Sequence, residues 1–345
     1  MPAIPSGEQP HAVPNAAMRA LAVPALLRLL RRLGWLMSLL LLWVVLAANI
    51  FAASTQDNKG LLPPASADRS PRVAQIRSAI AAADLLAVQK KTDEMIREEP
   101  KNFEGYFWRG FLELQRDNGY EAVRFLRRAE ALDANPYVLK LLAFSYYTVR
   151  QFRLFLLKMN EALEKQPDDY APYYYIGRHY FADDVGDFTK AEDNFRKALE
   201  RNPGHFQSHY YLGWCDEVLR KVKDGEQEYR RSMELAEAAG AKFAGPWQGM
   251  ARIRLLEDKP AEALPYATRA VEYAPNDVAS HKVLAKAYSA LGQQAEAIVE
   301  WERVAALDPA DSAPYYRLYR IYLAMGNEDK ANAAYAQFKK LSSMY

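Results

Sequence analysis

Two hydrophobic patterns divide the chain. Residues 35–53, "WLMSLLLLWVVLAANIFAA", carry no charge and leave no polar stripe. Nineteen residues at a rise of about 1.5 Å each reach roughly 28 Å, close to the thickness of a bilayer's hydrocarbon core. This stretch therefore predicts a membrane-spanning helix, with Trp35 at the end where an interfacial indole belongs. From about residue 72 the pattern becomes amphipathic at helical spacing, and it repeats. In "YYYIGRHYFADDVGDFTKAEDNFRKALERNP", Tyr173, Ile176, Gly177 and Tyr180 are followed by Ala191, Phe195, Ala198 and Pro203. "HYYLGWCD" returns His209, Leu212 and Gly213, and "HKVLAKAY" returns His281, Leu284, Ala285 and Tyr288. "YYRLYRIY" returns Tyr315, Leu318, Tyr319 and Tyr322. Such units start near 103, 136, 170, 206, 244, 278 and 312, and a degenerate one precedes them, ending at Pro100.

Each unit predicts two antiparallel helices that cannot bury their apolar faces alone, so that stacking must bury them. The small residue at Gly110, Ala143, Gly177, Gly213, Ala251 and Ala285 lets two helices approach closely. Pro100, Pro167, Pro203, Pro275 and Pro309 stop helix continuation at the unit ends. The arrangement resembles the tetratricopeptide repeat, whose pattern W-x2-L-G-x2-Y, A-x3-F, P spans about 34 residues. The resemblance covers about 72–345 and implies an all-α fold, a right-handed α-solenoid of helix-turn-helix repeats. With the N-terminal transmembrane helix added, the expected order has four parts. Residues 1–33 are a disordered basic leader, 34–53 a signal anchor, 54–71 a polar linker and 72–345 the solenoid.

Arg19, Arg28, Arg31 and Arg32 precede the span against one acid, Glu8, whereas the following residues are nearly balanced. The positive-inside rule then leaves the N-terminus in the cytoplasm and the repeats across the membrane. In a bacterial cell this is a single-pass inner-membrane protein with a periplasmic repeat domain. A cleaved signal peptide is the competing reading. The long basic leader and the Asn49-Ile50-Phe51 end favour a retained anchor.

Composition narrows the chemistry. Lys plus Arg number 45 and Asp plus Glu 43, a net charge of +2, which gives no basic face for nucleic acid. The 22 tyrosines exceed what a core needs and point to half-exposed contact surfaces. One cysteine, Cys215, rules out an intramolecular disulfide and a cysteine-based metal site. The sequence contains no H-E-x-x-H, G-x-S-x-G, P-loop or dinucleotide fingerprint, so no enzyme is expected, and no cofactor. His205 and His209 share a helical spacing, but His209 falls on a repeat core position. Asp183, Asp184 and Asp187 form an acidic turn without the spacing of a calcium loop.

By the resemblance, repeat positions four, seven, eight and eleven are core, and the first helices line a concave groove through positions two, five, nine and twelve. These give an aromatic N-terminal half: Phe107, Phe111, Phe144, Tyr147, Tyr174, Tyr210 and Trp214. The C-terminal half is basic, with Arg252, Lys282, Lys286 and Arg320, and Arg178 lies between. Position nine carries no Asn, the residue with which chaperone-tail binders of this family hold a peptide carboxylate. The expected function is a non-enzymatic, membrane-anchored scaffold that holds an extended or helical segment of a protein partner, apolar and acidic, and helps assemble an envelope complex. Glycan binding within a polysaccharide export system is the alternative. The last repeat ends at the chain terminus with Tyr335 and Phe338, which suggests a self-association surface.

Overall fold

The structure, a computed structural model, describes residues 61–65, 70–182 and 184–343. The predicted span, its basic leader and most of the linker lie outside the described residues. Among the described residues no helix is long and apolar enough to cross a membrane, and there is no strand. Sixteen helices follow one another among the described residues. They fall into two compact units, divided between Asn118 and Gly119.

The first unit contains α1 (Pro71–Ala81), α2 (Leu85–Glu98) and α3 (Phe103–Gln115). Ser70, Asp84 and Asn102 cap their N-termini, each accepting from a backbone N–H of the first turn. Val73, Ile76, Val88, Met95, Trp108 and Leu112 make its core. Leu61 also buries, and Arg77 ties the preceding chain back by donating to the Pro63 carbonyl at 2.7 Å.

The second unit runs α4 (Gly119–Leu132), α5 (Pro136–Thr148), α6 (Phe152–Lys165), α7 (Tyr170–Phe181), α8 (Phe188–Arg201), α9 (Phe206–Val218) and α10 (Val222–Ala238). It continues with α11 (Gly245–Leu256), α12 (Pro260–Tyr273), α13 (Val278–Ala290), α14 (Gln294–Leu307), α15 (Ala313–Ala324) and α16 (Glu328–Ser342). From α5 onward the helices pack in sequential pairs. Each first helix also packs on the second helix of the pair before it, and α7, α9, α11 and α13 touch in succession. Ala191, Ala263, Ala297 and Ala331 on second helices are fully buried, as a close approach requires.

The turns inside the pairs share one device. Arg150, Arg220, Asp258, Gly292 and Gly326 all adopt positive φ, between 57° and 75°. The next residue's N–H reaches back to a carbonyl of the first helix, as from Lys221 to Asp216 at 2.8 Å and from Asn327 to Tyr322 at 2.9 Å. This is the left-handed helix stop, and glycine fits it best because an L side chain crowds the carbonyl there.

Tyr229 shows how tightly the pairs interlock. It is fully buried, and a Cβ on Gly213 would stand 2.9 Å from its ring. A Cβ on Gly249, one helix further on, would overlap the same ring. One tyrosine of α10 thus fills the space that two glycines leave on α9 and α11.

Candidate partner-binding face

The expected groove residues separate into three kinds of environment. Phe107 and Phe111 belong to the first unit. Both are buried there, edge-on to Trp108 at 5.1 and 5.9 Å. The remaining ten lie in the second unit.

Tyr174 and Tyr210 are buried. Tyr174 packs among Tyr175, Phe195, His205 and Tyr211, and its hydroxyl accepts from Arg178 at 3.2 Å. Tyr210 stands edge-on to Phe243 at 5.1 Å and presses on Gly245, where a Cβ would meet its ring at 2.7 Å. Phe144 is half-buried edge-on to Tyr175, and Tyr147 is half-buried against Phe152, Phe155 and His179. Tyr175 thus carries the inter-repeat contact to Phe144 and packs beside Tyr174 on its own helix.

Position five has a second use that its spacing alone does not announce. Lys140 donates to Asp169 at 2.6 Å, Gln248 to Asp277 at 2.7 Å, and Lys282 pairs with Asp311 at 2.7 Å. The separation is 29 residues in each case. The aspartates also receive backbone N–H groups at the start of the following first helix, from Ala171, Ser280 and Ala313. One carboxylate therefore caps a helix and fastens it to the repeat before. Lys140 is buried, which pulls its pKa down, while Asp169 pulls it back up. A long basic side chain at position five reads equally well as a ligand contact or as this tie. The aspartate 29 residues on was the signal that separates them.

The cations at position nine differ from one another. The Arg178 guanidinium lies over the Tyr211 ring at 4.9 Å. Arg252 covers Trp214 at 4.9 Å and makes two bonds to Glu217, at 3.1 and 2.9 Å. Tyr229 donates to the same carboxylate at 2.7 Å. Burial works most strongly against the Arg252 charge, but Glu217, Tyr229 and Tyr210 together outweigh it and raise the pKa. Arg252 is thereby committed to the packing of its own repeats.

Lys286 and Arg320 are exposed, as is Arg317 beside them. They line a cavity of about 530 Å³ between α13, α14 and α15, with Trp301 and Ile321 among its apolar walls. Among the described residues none of these three cations meets a carboxylate. Lys286 stands in a concave position where desolvation, and then Arg317, Arg252 and Lys282, push its pKa down. The basic half that the sequence suggested is thus uneven: Arg252 and Lys282 are engaged within the fold, and Lys286 and Arg320 are available.

Elsewhere the candidate chemistry resolves into packing. His205 is held near Tyr170 and Tyr174 and has its pKa lowered to about 4 by burial and by His209. His209 sits between Glu228 at 2.6 Å and the Pro203 carbonyl at 3.0 Å, and His281 repeats this with Glu300 and Pro275. Burial pushes the Cys215 thiol up to about 12. Among the described residues no cluster could hold a metal ion. At the C-terminal end Tyr335 and Phe338 are half-buried, against Tyr319 at 4.9 Å and Tyr316 at 5.2 Å.

Comparisons with known proteins agree with this architecture. Residues 182–241 and 250–316 match the family model described as "Tetratricopeptide repeat". Among curated proteins, Hsp70-Hsp90 organizing protein 3 of Arabidopsis thaliana is 28% identical over 151 residues. The match covers 44% of this chain and a quarter, 25%, of that relative's length. A tetratricopeptide repeat protein from Parabacteroides merdae superposes with a TM-score of 0.53 at 20% identity, covering 70% of this chain and 93% of that one. The Cut9–Hcn1 hetero-tetramer of APC/C gives 0.61 at 12% identity, over 84% of this chain and 52% of the other. These structures share the fold. The described residues are therefore all-helical outside their turns, and residues 182–241 and 250–316 match tetratricopeptide repeats.

Proposed function

We propose that this protein is a non-enzymatic scaffold that holds a protein partner against the first-helix face of its repeats. Residues 34–53 anchor it in a bacterial inner membrane, its repeats stand in the periplasm, and it assists assembly of an envelope complex. The observation that carries the scaffold reading is the contrast between one end of this face and the rest. Most large side chains there are consumed by inter-repeat contacts. Lys286, Arg317 and Arg320 instead remain solvent-accessible and unmatched by acids around an apolar hollow. A surface that combines accessible arginine with buried aromatic support has the composition of a protein-binding site. The Arabidopsis relative is by name an organiser of two other proteins, which supports the same class of role. The anchor rests on the uncharged stretch and its basic flank.

The glycan alternative needs open ring faces for sugar stacking. Tyr174 and Tyr210 are buried, and Arg252 lies over Trp214, so those rings offer little platform.

Site-specific photocrosslinking in intact membranes tests the scaffold. A photoreactive residue at position 320 should give a discrete protein adduct. The same residue at position 231, exposed on the second helix α10, should give none. Absence of adducts at 320, or the same adducts from both positions, overturns the reading.

A further inference from the structure

The hollow between α13, α14 and α15 has properties that specify more than a contact surface. Its rim carries Lys286, Arg317 and Arg320, and its wall includes Trp301, which is 3% exposed, and Ile321. Gln294 also lines it, and the Gln294 Oε1 atom is buried without a hydrogen-bond partner. A buried acceptor left unpaired costs free energy, so a site of this kind is completed by something that donates to it. Three like charges held together are likewise uncompensated, and the interaction that relieves them is with an anion. The two demands differ in kind: an acid for the rim and an N–H donor for the wall.

Resting on the scaffold reading above, we propose that this hollow is a specificity pocket for an internal acidic segment of the partner. A glutamate side chain lays its methylene stem against Trp301 and Ile321 and its carboxylate among Lys286, Arg317 and Arg320. The Gln294 amide, half-buried at the wall and able to turn its unpaired oxygen inward, accepts a backbone N–H of the same segment. An internal residue satisfies both demands, because the chain continues past the carboxylate and brings amide groups with it. The volume of about 530 Å³ exceeds what a lone carboxylate fills and accommodates a side chain with adjoining backbone.

The probe is a fluorescein-labelled peptide of alternating glutamate and leucine, acetylated and amidated at its ends, titrated into the full chain in detergent. Fluorescence anisotropy should report saturable binding that weakens with added salt. The glutamine version of the peptide should bind at least tenfold more weakly. Lys286→Ala and Arg320→Ala should each weaken the glutamate peptide by about tenfold, whereas Lys223→Ala on α10 should leave it unchanged. Gln294→Leu, which removes the acceptor without touching charge, should also weaken it. Binding should fade with rising pH at a lower pH than an ordinary lysine would set, because desolvation and the neighbouring cations lower the Lys286 pKa. Equal binding of the two peptides, or unchanged affinity in the Lys286 and Arg320 variants, overturns the proposal. Tighter binding of a free-carboxyl glutamine peptide than of the blocked glutamate peptide also overturns it, in favour of a terminal carboxylate. Partner adducts at position 320 that persist while the peptide fails to bind would remove this pocket and leave the scaffold standing. Loss of the adducts themselves would remove the scaffold.

Discussion

Asp216 is the residue least at ease in this fold. It is fully buried on α9, and neither carboxylate oxygen has a hydrogen-bond partner. Arg196 of α8 stands 3.5 Å away and Lys221 of the following turn 4.0 Å, but both are drawn to Glu192; Glu228 of α10 adds further negative charge. Burial raises its pKa from 3.8 to about 6. The folded state thus binds a proton more tightly than the unfolded chain. Stability from this group is present below about pH 4 and is lost as pH rises toward 6. That shift corresponds to about 3 kcal/mol. Asp216→Asn should accordingly raise the melting temperature at pH 8 by several degrees and change it little at pH 4, as followed by circular dichroism. His205 works in the opposite sense. With its pKa lowered to about 4, it favours the folded state above pH 6.5 and stops doing so as pH falls. The variant should therefore expose a loss of stability between pH 6.5 and 4 that Asp216 masks in the natural chain. A pH profile identical in the two proteins would show that folding does not raise the Asp216 pKa. At the same scale, Gly249→Ala should cost about 1–3 kcal/mol, because its methyl would enter the space of the Tyr229 ring. Chemical denaturation would measure this. Gly186, with open space around it, is no control, since its φ of 61° needs glycine for another reason.

At the scale of the helix pair, the turns carry a strain that the sequence does not remove. Arg220 adopts φ 64° at the stop of α9, is exposed, and makes no side-chain hydrogen bond or ion pair among the described residues, whereas the equivalent turns at Gly292 and Gly326 use glycine. Arg220→Gly should stabilise by up to about 1 kcal/mol, the left-handed penalty less the entropy that glycine loses on folding. The ties between pairs should respond the other way. Asp277 caps α13 through Ser280 and also receives Gln248, so Asp277→Ala should cost about 2 kcal/mol. Both shifts are within reach of a urea titration. Such pairs also show what was readable beforehand. The alternation of small and large apolar residues announces the helices and their pairing, because Gly177, Gly213 and Ala251 have no other reason to recur at that spacing. It does not distinguish a groove-facing side chain from one that reaches the next repeat. Tyr174 and Tyr210 sit at groove positions by period, yet their rings are long enough to bury in the following pair. Lys140 and Lys282 likewise find aspartates that lie 29 residues on. The cavity beside Lys286 escaped the reading for the same reason. It is built jointly by three helices, and Arg317 falls outside the positions that one helix's period selects.

For the molecule as a whole, the proposed anchor and orientation predict which residues a membrane shields, and the chain contains a suitable background for testing this. Its one cysteine, Cys215, is fully buried, and burial pushes the thiol up to about 12, so the reactive thiolate is scarce at neutral pH. The natural protein should therefore resist a membrane-impermeant maleimide without any cysteine having to be removed. Ser343→Cys places a thiol at an exposed position after the last helix, and Asn15→Cys places one in the basic leader. With the N-terminus in the cytoplasm and the repeats in the periplasm, spheroplasts should label the position-343 variant and spare the position-15 variant until detergent is added. Deleting residues 34–53 should release the repeats from the membrane fraction into an alkaline carbonate wash. A full chain already released by that wash would sink the anchor, and labelling of position 15 in closed spheroplasts would invert the orientation. On the proposed reading, and with a net charge of only +2, the orientation would rest on the four arginines ahead of the proposed span and not on the protein's overall field. Replacing Arg28, Arg31 and Arg32 by glutamine should accordingly produce a mixed labelling pattern without altering the helical content of the repeats.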